Sequence, residues 1–357
     1  MINVTRTFLP PMEEYMALLK KSWDKAWITN NGELVQQLEK DLAAYLGVKH
    51  LLFCSNGTVV LQMALKAFAI TGEVITTPFS YVATTNIILW ENCTPVFVDI
   101  EPGTFCIDPL KIEAAITSRT QAILATHVYG YPCAVEKIEI IAKKYKLKVI
   151  YDGAHAFGTL CGGKQLLSYG DVSTCSFHAT KLFHTVEGGC IITADDAMAE
   201  KLKLYRSFGH VGDEYFSIGL NGKNSEFHAA MGVCNLRYLP GIIAARRKIS
   251  GWYDTYLEGT NLKRPLLPGD TQYNFAYYPV IFGSEAIMKK TMTSLQQQQV
   301  NTRRYFYPSL NKLPFLDATV SCPVSEAIAA SVLCLPLFHD LAQADVERIC
   351  TIIKKQL

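Results

Sequence analysis

A chain of 357 residues is longer than one hydrophobic core usually supports, so two domains are expected. With 49% hydrophobic and 18% charged residues and no polar low-complexity tract, its composition is that of a globular protein. The net charge of +2 is spread along the chain, which argues against a nucleic-acid partner, and the apolar run at 327–338 is too short for a membrane span.

The first two-thirds of the chain alternates short apolar runs with helical patterns. Apolar residues at 34, 38, 42, 45 and 46 share one helical face, and Asp108-Pro109 is typical of a helix start. Strands are predicted at 50–54, 73–76, 95–98, 121–126, 148–151, 172–176 and 190–193. Apolar strands separated by helices indicate a mostly parallel sheet covered on both faces. Residues 1–240 are therefore predicted to form a large α/β domain.

From about residue 240 the pattern changes. A basic helix is predicted to begin near Ala244, followed by a strand at 273–282. A glutamine-rich helix ends near Val300, and a last helix begins at about Leu341. Residues 241–357 are predicted to form a smaller α+β domain, which packs tightly on the first because no Gly, Ser or Pro linker separates them.

The compartment is inferred from the N-terminus and the cysteines. The first residues lack the basic-then-apolar pattern of a signal peptide. The eleven cysteines are odd in number, scattered and without CxxC spacing, so they are predicted to be reduced, mostly buried hydrophobes. Neither a disulfide framework nor a metal site is expected, and the predicted location is the cytoplasm.

In open α/β sheets, ligands bind beyond the carboxyl ends of the strands, and a first polar feature lies at such a place. The loop 55–58 (SNGT) joins the strand 50–54 to a helix expected near Val59. Its small residues let backbone N–H groups approach an anion. An ordinary turn with a threonine cap is the alternative. The loop matches neither a GxGxxG fingerprint nor a Walker A loop.

Two further features carry ionisable groups. Asp152 ends a strongly apolar strand, where a carboxylate needs a partner such as a protonated pyridine nitrogen, a helix start or an ion pair. Lys181 lies between apolar strands among small and aromatic residues, which favours a Schiff-base nucleophile over a surface lysine. His155 by itself is typical of a structural histidine. The loop, Asp152 and Lys181 together suit pyridoxal 5′-phosphate (PLP), which needs an anion cup, a carboxylate and a lysine.

A resemblance to a known family extends over essentially the whole chain. It rests on WITNNG (27–32), SNGTVVLQMAL (55–65), EVITTPFSYVAT (73–84), PVFVDI (95–100), HVYGYP (127–132), YDGAHAFG (151–158), SFHATKLFHTVEGG (176–189), GLNGKNSEFHAA (219–230), TRRYFYP (302–308) and CLPLF (334–338). On these stretches the chain resembles the DegT/DnrJ/EryC1/StrS family of sugar aminotransferases. The resemblance implies a PLP fold-type I (aspartate-aminotransferase-like) enzyme.

The resemblance also implies roles around the cofactor ring. Lys181 matches the lysine that forms the Schiff base and moves the proton during transamination. Asp152 matches the carboxylate that pairs with the ring nitrogen, and His155 the group that hydrogen-bonds the 3-hydroxyl. Tyr81 matches the aromatic residue that stacks on the ring. Some relatives carry His at the lysine position and catalyse dehydration, so Lys181 indicates transamination.

The phosphate end is implied in the same way. Gly57, Thr58 and Ser176 match the residues that hold the cofactor phosphate. Asn221 matches an asparagine that reaches the phosphate of the neighbouring subunit. The resemblance therefore implies a homodimer with shared active sites.

Within the family, the run FLPPMEEY followed by WITNNG, TPFSYVAT and SFHATKLFHTVEGG resembles enzymes that catalyse one particular reaction. Its substrates would be dTDP-4-keto-6-deoxyglucose and L-glutamate, and its product dTDP-4-amino-4,6-dideoxyglucose. Amination at C3, or a UDP- or GDP-linked keto sugar, remains an alternative. A nucleotide-sugar oxidoreductase or dehydratase is disfavoured because no glycine-rich fingerprint follows the first strand. The intact lysine and aspartate weigh against a non-catalytic regulator.

Overall fold

The computed structural model describes residues 1–316 and 320–357. The helices are α1 (Met12–Asp24), α2 (Glu33–Leu46), α3 (Gly57–Ala67), α4 (Val82–Trp90), α5 (Pro109–Ile112), α6 (Val135–Tyr145), α7 (Asp196–Arg206), α8 (Glu226–Tyr256), α9 (Glu285–Gln297), α10 (Pro323–Ser331) and α11 (Gln343–Lys354). The strands are β1 (His50–Cys54), β2 (Glu73–Thr76), β3 (Thr94–Phe97), β4 (Thr120–Thr126), β5 (Lys148–Asp152), β6 (Leu160–Cys161), β7 (Lys164–Gln165), β8 (Val172–Ser176), β9 (Gly189–Thr193), β10 (His210–Val211), β11 (Glu214–Tyr215), β12 (Thr271–Gln272), β13 (Tyr278–Ile281) and β14 (Val332–Leu335). Within these described ranges, no helix is both long enough and apolar enough to cross a bilayer.

A seven-stranded sheet organises the first two-thirds of the chain, with the strand order β1-β9-β8-β5-β4-β2-β3. Strands β3, β2, β4, β5 and β8 run parallel to one another. Strand β9 is antiparallel to both of its neighbours, β8 and β1. The predicted mostly parallel sheet is confirmed, and the strands predicted for it agree with the observed bounds to within about one residue at each end.

The sheet is buried on both faces because alternate side chains of a strand point to opposite sides. On one face, Leu52 and Val74 pack with residues of α3, α4 and α7. On the other face, Leu51 and Ile75 pack with residues of α2, α6 and α8. With both faces covered, the carboxyl ends of the parallel strands become the place where polar side chains can gather.

Helix α8 corrects the sequence-based interpretation of the region around residue 240. The helix begins at Glu226, not near Ala244, and Ser225 caps it by accepting a hydrogen bond from the N–H of His228. Pro240 lies inside the helix, and a proline normally indicates a helix end, which is why the sequence concealed this element. Its last turns join β13, β14, α9 and α11 in a separate apolar cluster. The division between 1–240 and 241–357 falls inside α8 and stays a prediction.

Other local predictions are confirmed. Helix α5 starts with Pro109, and the Asp108 carboxylate accepts a hydrogen bond from the N–H of Leu110 (3.0 Å). The glutamine-rich helix is α9, which ends close to the predicted Val300, and the last helix is α11, which begins close to Leu341.

The strand predicted at 273–282 is wrong in its first half, since only the second half forms β13, paired antiparallel with β14. The Asn274 side-chain oxygen accepts a hydrogen bond from the N–H of Ala276 (3.0 Å). Buried Arg246 donates to the carbonyl of Phe275 (2.8 Å), whose backbone has φ +54°. Side chains therefore take up backbone groups that a strand ladder would have paired.

Glu226 connects α8 to α2. Its buried carboxylate accepts hydrogen bonds from the N–H groups of Leu34 (2.8 Å) and Val35 (3.1 Å) in the first turn of α2. The Ser22 hydroxyl donates a third hydrogen bond (3.3 Å). A carboxylate here satisfies two N–H groups that lack partners within the helix and stabilises the positive end of its dipole.

Replacing Glu226 by Ala should lower the free energy of unfolding by about 1–3 kcal/mol, because buried N–H groups lose their acceptor. Urea denaturation followed by circular dichroism measures the change. The control is Glu13→Ala at the exposed first turn of α1, which should change the free energy by less than about 0.5 kcal/mol. An unchanged midpoint for Glu226→Ala would contradict the capping role.

Candidate active site

A cavity of about 340 Å³ lies at the carboxyl ends of β4, β5 and β8. The starts of α3 and α4 form part of its wall, and Arg303, Tyr305 and Phe306 close it from the C-terminal part of the chain. All the predicted site residues except Asn221 line it: Gly57, Thr58, Tyr81, Asp152, His155, Ser176 and Lys181.

The predicted anion-binding loop is the start of α3. The helix begins at Gly57, earlier than expected, and its cap is Asn56, whose Oδ1 accepts a hydrogen bond from the N–H of Val59 (2.9 Å). The N–H groups of Gly57 and Thr58 belong to the first turn and have no acceptor within the helix. A Cβ on Gly57 would lie 2.8 Å from the Cβ of Ser176, so glycine allows the close approach to β8. The result is a narrow polar cradle suited to a phosphate.

Asp152 is buried at the end of β5. One carboxylate oxygen accepts a hydrogen bond from the N–H of Ala154 (3.0 Å) and the other from the Thr84 hydroxyl (2.8 Å). Burial raises the pKa of the Asp152 carboxyl, while these two donors and the Lys181 ammonium oppose the shift. The Thr84 oxygen also lies 2.7 Å from the Ser80 hydroxyl, so the carboxylate ends a short chain of hydroxyl groups that fixes its orientation.

His155 is held as a neutral ring. Its Nδ1 accepts a hydrogen bond from the backbone N–H of Tyr129 (3.1 Å), which leaves the imidazole proton on Nε2. Burial, with a smaller effect from the Lys181 ammonium, lowers the pKa of His155 well below its usual range. Phe306 stacks on the ring at 5.6 Å, and Tyr277 packs against it at 4.6 Å. His155 is therefore a fixed hydrogen-bond donor at the cavity wall.

Lys181 lies in the loop between β8 and β9, which is closed by a hydrogen bond from the N–H of Phe177 to the carbonyl of Gly188 (2.7 Å). The residue is half-buried. Burial lowers the pKa of the Lys181 ammonium, against the opposing effects of the Tyr305 phenol and the Asp152 carboxylate. A lowered pKa increases the fraction of neutral amine, which is the nucleophilic form.

Several contributors were missed from the sequence. Thr84 and Tyr305 lie inside the matched stretches 73–84 and 302–308, but the motifs do not predict a function for either side chain. Asn274, which holds the carbonyl of His155, lies outside every matched stretch. Its contact joins distant parts of the chain and leaves no local sequence signal.

Asn221 lies outside the cavity of its own chain. It is exposed and forms a backbone bridge with Ser207 at the base of the β10–β11 hairpin. The carbonyl of the next residue, Gly222, accepts a hydrogen bond from the N–H of Ser55 (2.8 Å), beside the start of α3. The segment around the hairpin exposes large apolar side chains: Phe208, Val211, Tyr215, Phe216 and Ile218.

The cavity residues fit PLP. The first turn of α3 and Ser176 would hold its phosphate, Asp152 its ring nitrogen, and the Nε2–H of His155 its ring hydroxyl. Lys181 would bond to its aldehyde carbon, beside the Tyr81 ring. The fit rests on two pairings. The first-turn N–H groups of α3 would gain the phosphate as an acceptor, and the buried Asp152 carboxylate would gain the protonated ring nitrogen as a cationic partner.

Comparisons with known proteins agree with this fit. A model of the DegT/DnrJ/EryC1/StrS aminotransferase family matches residues 11–354. A dTDP-4-amino-4,6-dideoxy-D-glucose transaminase of Escherichia coli is 40% identical over 364 residues, spanning 99% of this chain and 98% of the relative. A GDP-perosamine synthase of Caulobacter vibrioides is 34% identical over 94% of this chain and 93% of its own. The crystal structure of DesI in the presence of its TDP-sugar product superimposes with a TM-score of 0.95 at 31% identity, over 99% of this chain and 92% of that one.

Fold and site together define a PLP-dependent aminotransferase of fold type I. The chain belongs to the DegT/DnrJ/EryC1/StrS aminotransferase family. The family, the enzyme class and the cofactor inferred from the sequence motifs are thereby confirmed.

Asp152→Asn should reduce kcat by about a hundredfold or more, because an amide does not keep the ring nitrogen protonated. Steady-state kinetics with saturating cofactor measures the loss, and the visible spectrum reports cofactor binding. Asp270→Asn changes an exposed aspartate outside the cavity and should leave kcat unchanged. A near-normal kcat for Asp152→Asn would show that a different group contacts the ring nitrogen.

Proposed function

We propose that this aminotransferase transfers the amino group of L-glutamate to C4 of dTDP-4-keto-6-deoxyglucose, giving dTDP-4-amino-4,6-dideoxyglucose. The observation that supports amino transfer is that Lys181 and Asp152 line the same cavity. The full-length similarity to the Escherichia coli relative, whose name describes this product, supports the choice of sugar. Assays with C3-keto, UDP-linked and GDP-linked sugars separate this proposal from its alternatives.

The site residues divide the work between bonding and proton transfer. The neutral Nζ of Lys181 would bond to the aldehyde carbon with loss of water, and the amine of the donor would later displace it. The freed Nζ would then accept a proton from the carbon that carries the amino group and deliver it to the former aldehyde carbon. When bound, PLP supplies an electron-withdrawing ring that stabilises negative charge on the reacting carbon. Asp152 would keep the ring nitrogen protonated and His155 would donate to the ring hydroxyl, so together they would set the orientation and charge of the ring.

Lys181→Ala should abolish transamination while the protein remains folded, because one side chain supplies both the nucleophile and the proton carrier. Product formation is measured with glutamate and the dTDP-linked keto sugar. In the wild type, borohydride should remove the visible absorbance and fix the cofactor to the chain, whereas in Lys181→Ala it should not fix the cofactor. Lys164→Ala, an exposed lysine outside the cavity, is the control. Substantial turnover by Lys181→Ala would refute the assignment.

We also propose a homodimer in which Asn221 of each chain completes the cavity of its partner. The apolar side chains around the β10–β11 hairpin support this, since Tyr215 is 77% and Ile218 79% exposed in the single chain. Exposed apolar surface of this kind favours a protein contact. An amide on a glycine-flanked turn can reach across such a contact and hydrogen-bond the cofactor phosphate of the partner.

Mixing two impaired variants tests the shared site. Alone, Lys181→Ala should be inactive, and Asn221→Asp should be weak because a carboxylate repels the phosphate. Heterodimers formed by subunit exchange contain one site with both residues intact and one site with both residues altered. Each heterodimer should therefore have about half the activity of a wild-type dimer. No recovery after verified exchange, or an active enzyme that sediments as a monomer, would contradict the proposal.

We propose the cytoplasm as the compartment. All eleven cysteines are buried and free, and their predicted burial is confirmed. Burial raises the pKa of Cys175, at the cavity wall, to about 12, so its thiol stays protonated. A reducing compartment suits a chain with this many free thiols.

A further inference from the structure

Two adjacent arginines, Arg303 and Arg304, lie in the segment 302–308 that closes the cavity. The backbone of Arg303 is fixed by a pair of hydrogen bonds with Cys334 of β14. The N–H of Arg303 donates to the carbonyl of Cys334 (3.3 Å), and the N–H of Cys334 donates to the carbonyl of Arg303 (2.8 Å). Because Cys334 is fully buried in β14, the position of Arg303 is set by the core and not by a free loop.

Arg304 has a structural role. Its guanidinium forms an ion pair with Glu285 (3.0 Å) and donates to the carbonyl of Ala330 (3.1 Å) at the end of α10. It also lies over the Tyr307 ring at 3.3 Å. These contacts are all made by Nη2 and by the face of the guanidinium, and they hold α9, α10 and the segment 302–308 together.

Arg303 differs from its neighbour in both direction and partners. It lines the cavity and is exposed. Across residues 1–316 and 320–357, no carboxylate oxygen lies within 4.0 Å of its guanidinium. The guanidinium lies over the Tyr305 ring at 5.1 Å, which orients it without using its hydrogen-bond donors. A cation with free donors is therefore held at the cavity by a fixed backbone and an aromatic face.

The other charged groups at the cavity have partners or tasks. Asp152 and Lys181 belong to the cofactor end, as described above. The Glu187 carboxylate lies 3.6 Å from the His178 ring, so the two face each other. Arg303 is left as the cation available to a reactant. Both reactants of the proposed reaction are anions, since glutamate carries carboxylates and the nucleotide sugar carries a diphosphate.

We propose that Arg303 is a specificity-determining residue that binds an oxyanion of a reactant through its guanidinium, either a carboxylate of the amino donor or the diphosphate of the nucleotide sugar. The inference rests on the proposed function. A planar guanidinium pairs with either oxyanion through two parallel hydrogen bonds, which lysine cannot reproduce. Arg303 acts in binding and does not touch the reacting atoms.

Kinetics of the holoenzyme test the inference. Arg303→Gln should raise the KM of one reactant by roughly tenfold to a hundredfold, the range for a charge-assisted pair, with kcat within about twofold. Arg303→Lys should fall between wild type and Arg303→Gln, because it keeps the charge and loses the paired donors. Arg247→Gln, an exposed arginine of α8 outside the cavity, is the matched control and should leave both KM values unchanged.

Equilibrium binding identifies the oxyanion without turnover. Titration calorimetry of the holoenzymes uses glutarate, an unreactive dicarboxylate, and dTDP, which lacks the sugar. Weaker glutarate binding by Arg303→Gln supports the carboxylate of the donor, and weaker dTDP binding supports the diphosphate. Unchanged binding of both probes and unchanged KM values, in a wild type that binds and turns over normally, would overturn the inference alone. A wild type that binds neither probe and shows no turnover would overturn the proposed function, and the inference with it.

Discussion

The site depends on one constraint, which is that a carboxylate must remain ionised inside a protein. Asp152 lies at the end of a buried strand, where desolvation raises its pKa. The N–H of Ala154 and the Thr84 hydroxyl donate hydrogen bonds to this carboxylate, and bound PLP would add its cationic ring nitrogen as a further partner. Because Asp152 ends β5 and Thr84 lies in α4, the two meet only when the parallel sheet and its helices are assembled.

The central sheet was predictable because a strand buried on both faces leaves a continuous apolar run in the sequence. That residues of separate motifs would meet in one cavity was predictable for all the named site residues except Asn221, whereas the side chains that support them were not. The contacts of Thr84 with Asp152, and of Asn274 with the carbonyl of His155, join residues far apart in the chain. Helix α8 was misplaced because Pro240, which lies inside it, is a residue that normally indicates a helix end.

Residues beyond position 240 complete the cavity instead of merely covering it. Tyr277 and Phe306 pack on the His155 ring, and Arg246 holds the backbone beside Tyr277 through the carbonyl of Ala276 (2.5 Å). Burial lowers the pKa of Arg246 to about 10, and its guanidinium donates hydrogen bonds to the carbonyls of Phe275 and Ala276. Residues beyond position 240 thus contribute to the burial that keeps His155 neutral.

Burial is unequal around the cavity. The groups placed to hold the cofactor ring, Asp152 and His155, are buried and locked by hydrogen bonds, whereas the rim is exposed. The exposed rim side chains to which no contact with the cofactor is assigned are His178, Thr180, Glu187 and Arg303. A substitution at an exposed position usually costs little stability. Substitutions at the exposed rim can therefore accumulate while the buried floor of the cavity keeps its structure.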